Sequence, residues 1–320
     1  MKRLLPSVLI LGSRFDLSCD YVIARLRNFD CSYLRLNSED LSDSSIGLDP
    51  IHGILDGRLV DLCFHIDIND LKSIYYRRPV FPRNYDDLEN NSVERFKRYQ
   101  WATLIRNLMI FDKSFWVNHP AATYYAEHKA VQLHIAHEVG FLIPETIITN
   151  QETFIRPELI RNGDVVVKGL DTVLLRNGTN ETFGFTKFIN RASLSNEDIN
   201  SAPVIFQKPI SNKVDIRVTV IGSDIFSASI HLDDHPIQGD WRYNKDNLNF
   251  VPFNLPCDIR DMCFLLLRKL GLIYGAIDLA LEDNRYYFLE INPTGEWSWL
   301  VNSANLPIDN SIAKCLMYSI

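Results

Sequence analysis

Tyr274-Gly275-Ala276-Ile277-Asp278-Leu279-Ala280-Leu281 and Tyr286-Tyr287-Phe288-Leu289-Glu290-Ile291-Asn292 decide how this chain is read. Each is an apolar run of strand length, and Glu282-Asp283-Asn284 between them is a turn, so together they predict an antiparallel hairpin. One acid, Asp278, interrupts the first run. On the second, Glu290 and Asn292 stand two apart and share a face, because side chains alternate along a strand. Acid and amide groups set among Leu, Ile and Phe are costly unless they are paired or hold a cation. Oxygen donors of this kind suit magnesium, which takes one or two carboxylates together with phosphate oxygens and water. The alternative is neutralisation of Asp278 and Glu290 by Arg217, Lys168 or Arg242.

Upstream, Asp215-Ile216-Arg217-Val218-Thr219-Val220-Ile221 and Ile225-Phe226-Ser227-Ala228-Ser229-Ile230 predict a second hairpin around Gly222-Ser223-Asp224. Asp215 and Arg217 fall on one face of the first strand, where both can line a cleft. Val204-Ile205-Phe206-Gln207-Lys208-Pro209-Ile210 is a strand running into a proline break. Asp164-Val165-Val166-Val167-Lys168 reads as a buried strand ending in a lysine, which either snorkels at an edge or holds a phosphate as a point charge. Cys263 to Leu270 is a helix stopped by Gly271.

The first part of the chain alternates strand and helix signals. Val8-Leu9-Ile10-Leu11 ends in Gly12-Ser13, and a helix covers Tyr21 to Leu26. A single glycine after the first strand is a weak nucleotide signal, and an open parallel sheet with a tight turn accounts for it. Asp56-Gly57 between apolar residues predicts a hairpin turn. Ile74-Tyr75-Tyr76 is a further strand. Asp87 to Met109 predicts a long amphipathic helix with Val93, Phe96, Tyr99, Leu104 and Leu108 on its apolar face. Phe115-Trp116-Val117 is a short strand broken by Asn118-His119-Pro120. One helix from Ala121 to Val139, stopped by Gly140, should carry Lys129 on a solvated face. A boundary is expected near residue 120.

Composition bounds these readings. The chain has 320 residues, enough for about two compact units at ~150 residues each. It is 46% apolar and 23% charged, which excludes a disordered chain, a collagenous repeat and a disulfide miniprotein. Its charge of 33 − 40 = −7 argues against a general nucleic-acid binder. No apolar run reaches the ~18 residues of a membrane span, so no membrane partner is expected. Six cysteines without C-x-x-C spacing make a zinc site unexpected. Those thiols, and a first apolar run cut by Pro6 and ended by Gly12 and Arg14, point to a cytoplasmic protein.

The order Lys168, Phe206-Gln207-Lys208-Pro209-Ile210, Asp215-Ile216-Arg217-Val218, Asp278 and Phe288-Leu289-Glu290-Ile291-Asn292-Pro293-Thr294-Gly295-Glu296-Trp297 resembles the ATP-grasp fold. With Tyr76-Arg77-Arg78-Pro79, Asn118-His119-Pro120 and Asp240-Trp241-Arg242 added, the chain resembles the microviridin-type peptide ligases, the graspetide synthetases. The resemblance spans almost the whole chain. It implies an α/β fold, α+β in part, with an N-terminal pre-ATP-grasp domain (1–120), a central domain (121–203) and a C-terminal antiparallel-sheet domain (204–320). It implies ATP and Mg2+ as cofactors. Lys129 and Lys168 match lysines on the ATP phosphates, Gln207, Lys208, Pro209 and Ile210 the hinge that receives adenine, and Asp215 a position near the ribose. Asp278, Glu290 and Asn292 match the magnesium ligands. Arg217 matches an arginine that steadies phosphate or acyl phosphate, and Arg242 one on the acceptor side. Lys208 is a departure, since many relatives have Glu there. Gly169 to Thr186 would form the phosphate-covering loop.

By the same resemblance the chain makes an acyl phosphate from a carboxylate and ATP, and a hydroxyl or amine then attacks it to give an ester or amide ring. Its partner would be a precursor peptide with a leader and an acidic core, and a homodimer is left open. Two other readings stand beside this one: an ATP-grasp ligase acting on an amino acid, small amine or protein terminus, and a nucleotide-binding module without catalysis.

Overall fold

The computed structural model describes residues 3–77, 92–171, 174–177, 180–183, 186–232, 235, 241 and 248–319. In chain order the first elements are β1 (Arg3–Leu4), β2 (Val8–Gly12), α1 (Leu17–Asn28), β3 (Tyr33–Asn37), β4 (Ser45–Asp49), β5 (Ile54–Leu59), β6 (Leu62–Asp67), β7 (Ser73–Tyr76), α2 (Ser92–Asn107) and β8 (Phe115–Val117). Strands β3-β2-β7-β8 form a parallel sheet, and β1-β6-β5-β4 a mixed one beside it. The continuous run Val8–Leu11 is buried throughout, as expected of a central strand in a parallel sheet. A side chain at Gly12 would meet Cys19 Sγ at 2.8 Å, so this glycine lets α1 pack closely on β2.

The middle of the chain adds α3 (Pro120–Ala126), α4 (Lys129–Glu138), β9 (Thr146–Thr149), β10 (Asp164–Lys168), β11 (Leu174–Asn177), β12 (Asn180–Phe183), β13 (Lys187–Asn190), α5 (Asn196–Asn200) and β14 (Val204–Gln207). Strands β13-β10-β14-β9 make an antiparallel sheet, and β11 pairs with β12 within the 169–186 stretch. The last part adds β15 (Val214–Ile221), β16 (Asp224–Leu232), β17 (Leu248–Pro252), α6 (Cys257–Leu270), β18 (Tyr274–Glu282), β19 (Arg285–Asn292), α7 (Ser298–Ser303) and α8 (Ile308–Tyr318). Here β17-β16-β15-β18-β19 form one antiparallel sheet. Both hairpins read from the sequence close at the expected turns. Helix α8 returns to the N-terminal layer, where Ile308, Ile312 and Leu316 share a core with Val22 and Leu26 of α1, and Arg25 is 2.6 Å from the buried Asp309 carboxylate. Among the described residues no helix is long and apolar enough to cross a membrane.

Three expectations are corrected. Asp56-Gly57 is not a turn: β5 runs straight through it and the hairpin closes between Leu59 and Leu62. Gly57 is there because Phe64 of β6 lies across it, and a Cβ would come within 2.4 Å of that ring. The helix expected over 121–139 is two helices, because His128 takes an extended conformation as the N-cap of α4. The freed Ala126 carbonyl accepts instead from Gln132 Nε2 at 2.6 Å. The residues at the break, Glu127-His128-Lys129, are all helix-compatible, so periodicity does not reveal it. Finally, the apolar face of α2 is only half used: Ile105 is buried, whereas Val93, Phe96 and Tyr99 are exposed. At ~1.5 Å per residue this helix outreaches the short strands beneath it.

Asn118 joins the N-terminal layer to the hairpin of interest. Its Oδ1 accepts from the Ile273 and Tyr274 amides and its Nδ2 donates to the Tyr274 and Pro293 carbonyls, all four at 2.8 Å. The residue is 1% exposed. Asn118→Ala strands these backbone groups away from water, at about 1–3 kcal/mol for each group left unpaired. A chemical-denaturation midpoint indistinguishable from that of the unaltered chain would contradict this.

Candidate active site

The hairpin places its polar groups in one row. Asp278 of β18 opposes Glu290 of β19 on one side and Arg217 of β15 on the other. A β-bulge follows at Asp278/Leu279, so Leu289 is the extra residue on β19. A bulge re-aims side chains locally, and both Leu289 and Glu290 reach the same cleft. Arg217 Nη1 donates to Asp278 Oδ1 at 2.8 Å and Nη2 to the Glu296 carbonyl at 3.0 Å. Glu290 Oε2 lies 2.5 Å from Lys129 Nζ, and the Asn292 amide reaches Glu290 Oε1 at 3.4 Å. Lys129 is the first residue of α4, and Gln132 one turn on clasps both the Ile291 amide and carbonyl. The helix break and this clasp together aim Lys129 at β19.

The opposite wall comes from the central sheet. Lys168 Nζ donates to Gln207 Oε1 at 2.9 Å, and Gln207 Nε2 donates to Thr146 Oγ1 at 2.9 Å. The Lys208 amide is taken by the Glu145 carbonyl at 2.8 Å, and Pro209 has no N–H. Among 208–210, only Ile210 keeps a backbone N–H outside that bond. Val166, Phe188, Ile210, Leu279 and Leu289 give the cleft an apolar slot, and Lys168, Lys208, Lys213, Asp215, Asp278 and Glu290 give it charge. Its open space, solvent at the mouth included, is about 640 Å³. Lys213 is buried against Asp215, with which it forms an ion pair.

Charge is concentrated here. Lys129, Lys168, Lys208, Lys213 and Arg217 face Asp215, Asp278 and Glu290, so these described groups sum to 5 − 3 = +2 in a chain of net −7. A polyphosphate is therefore attracted locally although the whole molecule repels anions. The donor set also fits magnesium: two carboxylates and one amide, oxygen donors throughout. Among the described residues no three His, Cys, Asp or Glu side chains gather as a cation cage.

The whole molecule points the same way. The structure is similar to the macrocyclase MdnC of Microcystis aeruginosa MRC, solved bound with precursor peptide MdnA, at 25% identity over 98% of this chain and 99% of that one, TM-score 0.84. It is equally similar to a RiPP-associated ATP-grasp ligase of Chryseobacterium gregarium, solved with ADP and a leader and core peptide, at 25% identity over 98% and 97%, TM-score 0.85. The chain has the ATP-grasp fold of these two peptide-ligase structures. A D-alanine–D-alanine ligase of Bacillus anthracis shares the fold, at 12% identity over 100% and 97% of the two chains, TM-score 0.59. No family model matches the chain, and no curated protein matches it.

Of the residues singled out in the sequence, the fold brings Lys168, Gln207, Lys208, Ile210, Asp215, Asp278 and Glu290 onto one cleft. Lys129 lines an adjoining recess with Lys168 and Glu290. Pro209, Arg217 and Asn292 sit in the same elements but are not on the cleft wall. Both acids expected to need neutralising do pair with cations, Asp278 with Arg217 and Glu290 with Lys129. Arg242, with Arg78, Asp240 and Gly178, lies outside the described residues. Sequence reasoning missed Lys213, although it stands two residues before Asp215 in the same alternation, and Gln132, which carries no local signal.

Arg77 secures the site from behind. It is 8% exposed, donates to Asp16 Oδ2 at 2.9 Å, to the Gly295 carbonyl at 3.2 Å and to Glu296 Oε2 at 3.2 Å. Partial burial pushes the Glu296 carboxyl up, but the Arg77 charge, the Ser18 hydroxyl and the Ser298 backbone amide outweigh it and hold the group below its usual range. A carboxyl depressed in the folded state adds stability above its unfolded pKa of about 4.3, and that stability is lost as pH falls through the folded value. Glu296→Gln should therefore flatten the acid limb of the melting temperature plotted against pH. An acid limb of unchanged slope would count against the tie.

Proposed function

We propose that this chain is an ATP-dependent ligase that closes side-chain ester or amide rings in a ribosomal precursor peptide. The observation that carries this is the cleft between the central and C-terminal sheets, where a cationic surplus, an apolar slot and the oxygen donors Asp278 and Glu290 meet, with Asn292 behind Glu290. The likeness to MdnC and to the Chryseobacterium enzyme over nearly the full length of each chain supplies the substrate class. In this reading residues 1–120, 121–203 and 204–320 are the pre-ATP-grasp, central and C-terminal domains.

A carboxylate resists attack because it would have to expel oxide, so the γ-phosphoryl group is moved onto it first. Adenine fits the apolar slot, with the Ile210 amide as donor and the Gln207–Ile210 turn as its frame. Lys168 and Lys129 hold phosphate oxygens, and Asp215, paired with Lys213, stands toward the ribose. Asp278, Glu290 and Asn292 hold magnesium, which when bound offsets the charge on the bridging phosphates. In the free chain Lys129 neutralises Glu290, and it would turn from that carboxylate to phosphate oxygens when Glu290 held magnesium. Arg217, fixed at two points, presents its charge to the activated acid. We assign Arg242 to the acceptor side. A hydroxyl or amine of the same peptide then attacks the acyl carbon, the bond to the phosphate oxygen breaks and phosphate departs, with no enzyme nucleophile required.

The +2 surplus favours an acidic core segment as the carboxylate donor. None of the six cysteines is in a disulfide, which suits a cytoplasmic site of action. If a second copy binds, the exposed Val93, Phe96 and Tyr99 of α2 are a surface it could use. A ligase for a free amino acid or protein terminus is the second reading, favoured by the fold shared with D-alanine–D-alanine ligase.

Mass spectrometry decides between the two. A short acidic precursor peptide, sought among small reading frames neighbouring the gene, should lose about 18 Da per ring when incubated with the enzyme, ATP and magnesium, since each closure removes one water. An adduct of added mass would support the second reading instead. Glu290→Ala and Asn292→Ala should each lower ATP turnover by about a hundredfold or more, the loss expected for a metal-organising group. Near-normal turnover with magnesium as the only metal would remove these residues from the ligand set.

A further inference from the structure

The face that carries the charged row ends in a run of aromatic rings. Asp215 of β15 opposes Ile230 of β16, and Ile230 opposes Phe250 of β17, so cross-strand pairing carries that face to the sheet's edge. Phe250 packs on Trp299 of α7 with ring centroids 4.4 Å apart, and Trp299 lies 5.9 Å from Trp241. Trp241 in turn stands on the wall of the cleft with Asp215, Lys213 and Asp278. Trp241 thus shares a wall with the charged groups, on the same cleft as the apolar slot. Three uncharged rings braced on one another do nothing for phosphoryl transfer, which runs on charge. They do alter access of water.

Water is the competitor at this end of the reaction. In the productive step a peptide hydroxyl or amine attacks the acyl carbon, the bond to the phosphate oxygen breaks, and phosphate departs with the nucleophile's proton. In the wasteful step water makes the same attack, and the acid is regenerated at the cost of one ATP. Excluding water from a reactive intermediate is a recognised task of active-site walls. We propose that Trp241, seated on Trp299 and Phe250, is the water-excluding wall of the acceptor side, so that the activated carboxylate is consumed by ring closure rather than hydrolysis. This rests on the ligase reading above.

The test compares ADP formed with rings formed, using the precursor peptide that the mass-spectrometric assay above identifies, with ATP and magnesium in ¹⁸O-labelled water. The unaltered enzyme should release about one ADP per ring and leave the peptide acids unlabelled. Trp241→Ala should raise the ADP-to-ring ratio about tenfold and place ¹⁸O in the acidic side chains, a shift equivalent to about 1.4 kcal/mol between the two attacks. Trp241→Phe keeps an apolar ring and should restore a ratio near that of the unaltered enzyme. Trp299→Ala removes the seat and should move the ratio in the same direction as Trp241→Ala, which keeps the test decisive if that variant does not fold. Parallel loss of ADP and rings at a constant ratio, without label in the peptide, would overturn the proposal. An unaltered enzyme that consumes no ATP with the peptide would instead overturn the ligase reading, a result separable from any effect of Trp241.

Discussion

Arg217 is the group on which the site is assembled. One edge of its guanidinium is held by Asp278 on the neighbouring strand and another nitrogen by the Glu296 carbonyl beyond the hairpin's end. Arginine suits this because its donors lie in a rigid planar fork. The pair is buried, with side chains 6% and 9% exposed. Burying two charges is tolerated only where each meets the other in good geometry, and removing either partner leaves an uncompensated charge inside. The row from Arg217 through Asp278 to Glu290 is therefore a unit, and Lys129 closes it from the helix above.

The N-terminal layer acts on this unit without reaching the cleft. Arg77 and Arg217 grip adjacent carbonyls, those of Gly295 and Glu296, from opposite sides. Tyr274, whose hydroxyl burial pushes up to about 12, donates to the same Gly295 carbonyl at 2.7 Å. Trp297 follows, fully buried, with its indole N–H on the Tyr75 hydroxyl at 3.2 Å. The segment after Asn292 is thereby tied to β7 and α1, and Asn118 ties the same hairpin to the end of β8. Positions that look remote from the chemistry set the angle at which the metal-type donors are presented.

Much of this was legible locally. A two-residue alternation shows that Glu290 and Asn292 share a face and that Asp278 stands alone in an apolar strand, and such a pattern carries its own physical cost. Helix breaks are less legible. The split between α3 and α4 depends on Gln132 reaching a carbonyl six residues back and a strand 159 residues ahead. The Asp56-Gly57 pair shows the opposite failure. A dipeptide common in turns was retained inside a strand because an aromatic ring on the next strand needed the space.

The amino-acid sequence by itself determined the strand pattern of the C-terminal sheet and the kinds of donor on its inner face, because these follow from spacing and residue chemistry along a few neighbouring positions. Only the tertiary structure decided which cation faces which carboxylate. Lys129 with Glu290, Lys213 with Asp215 and Arg77 with Glu296 are matched by the packing of separate layers. Such pairings are governed by distance in space, and the electrostatic energy that selects them falls with that distance rather than with separation along the chain.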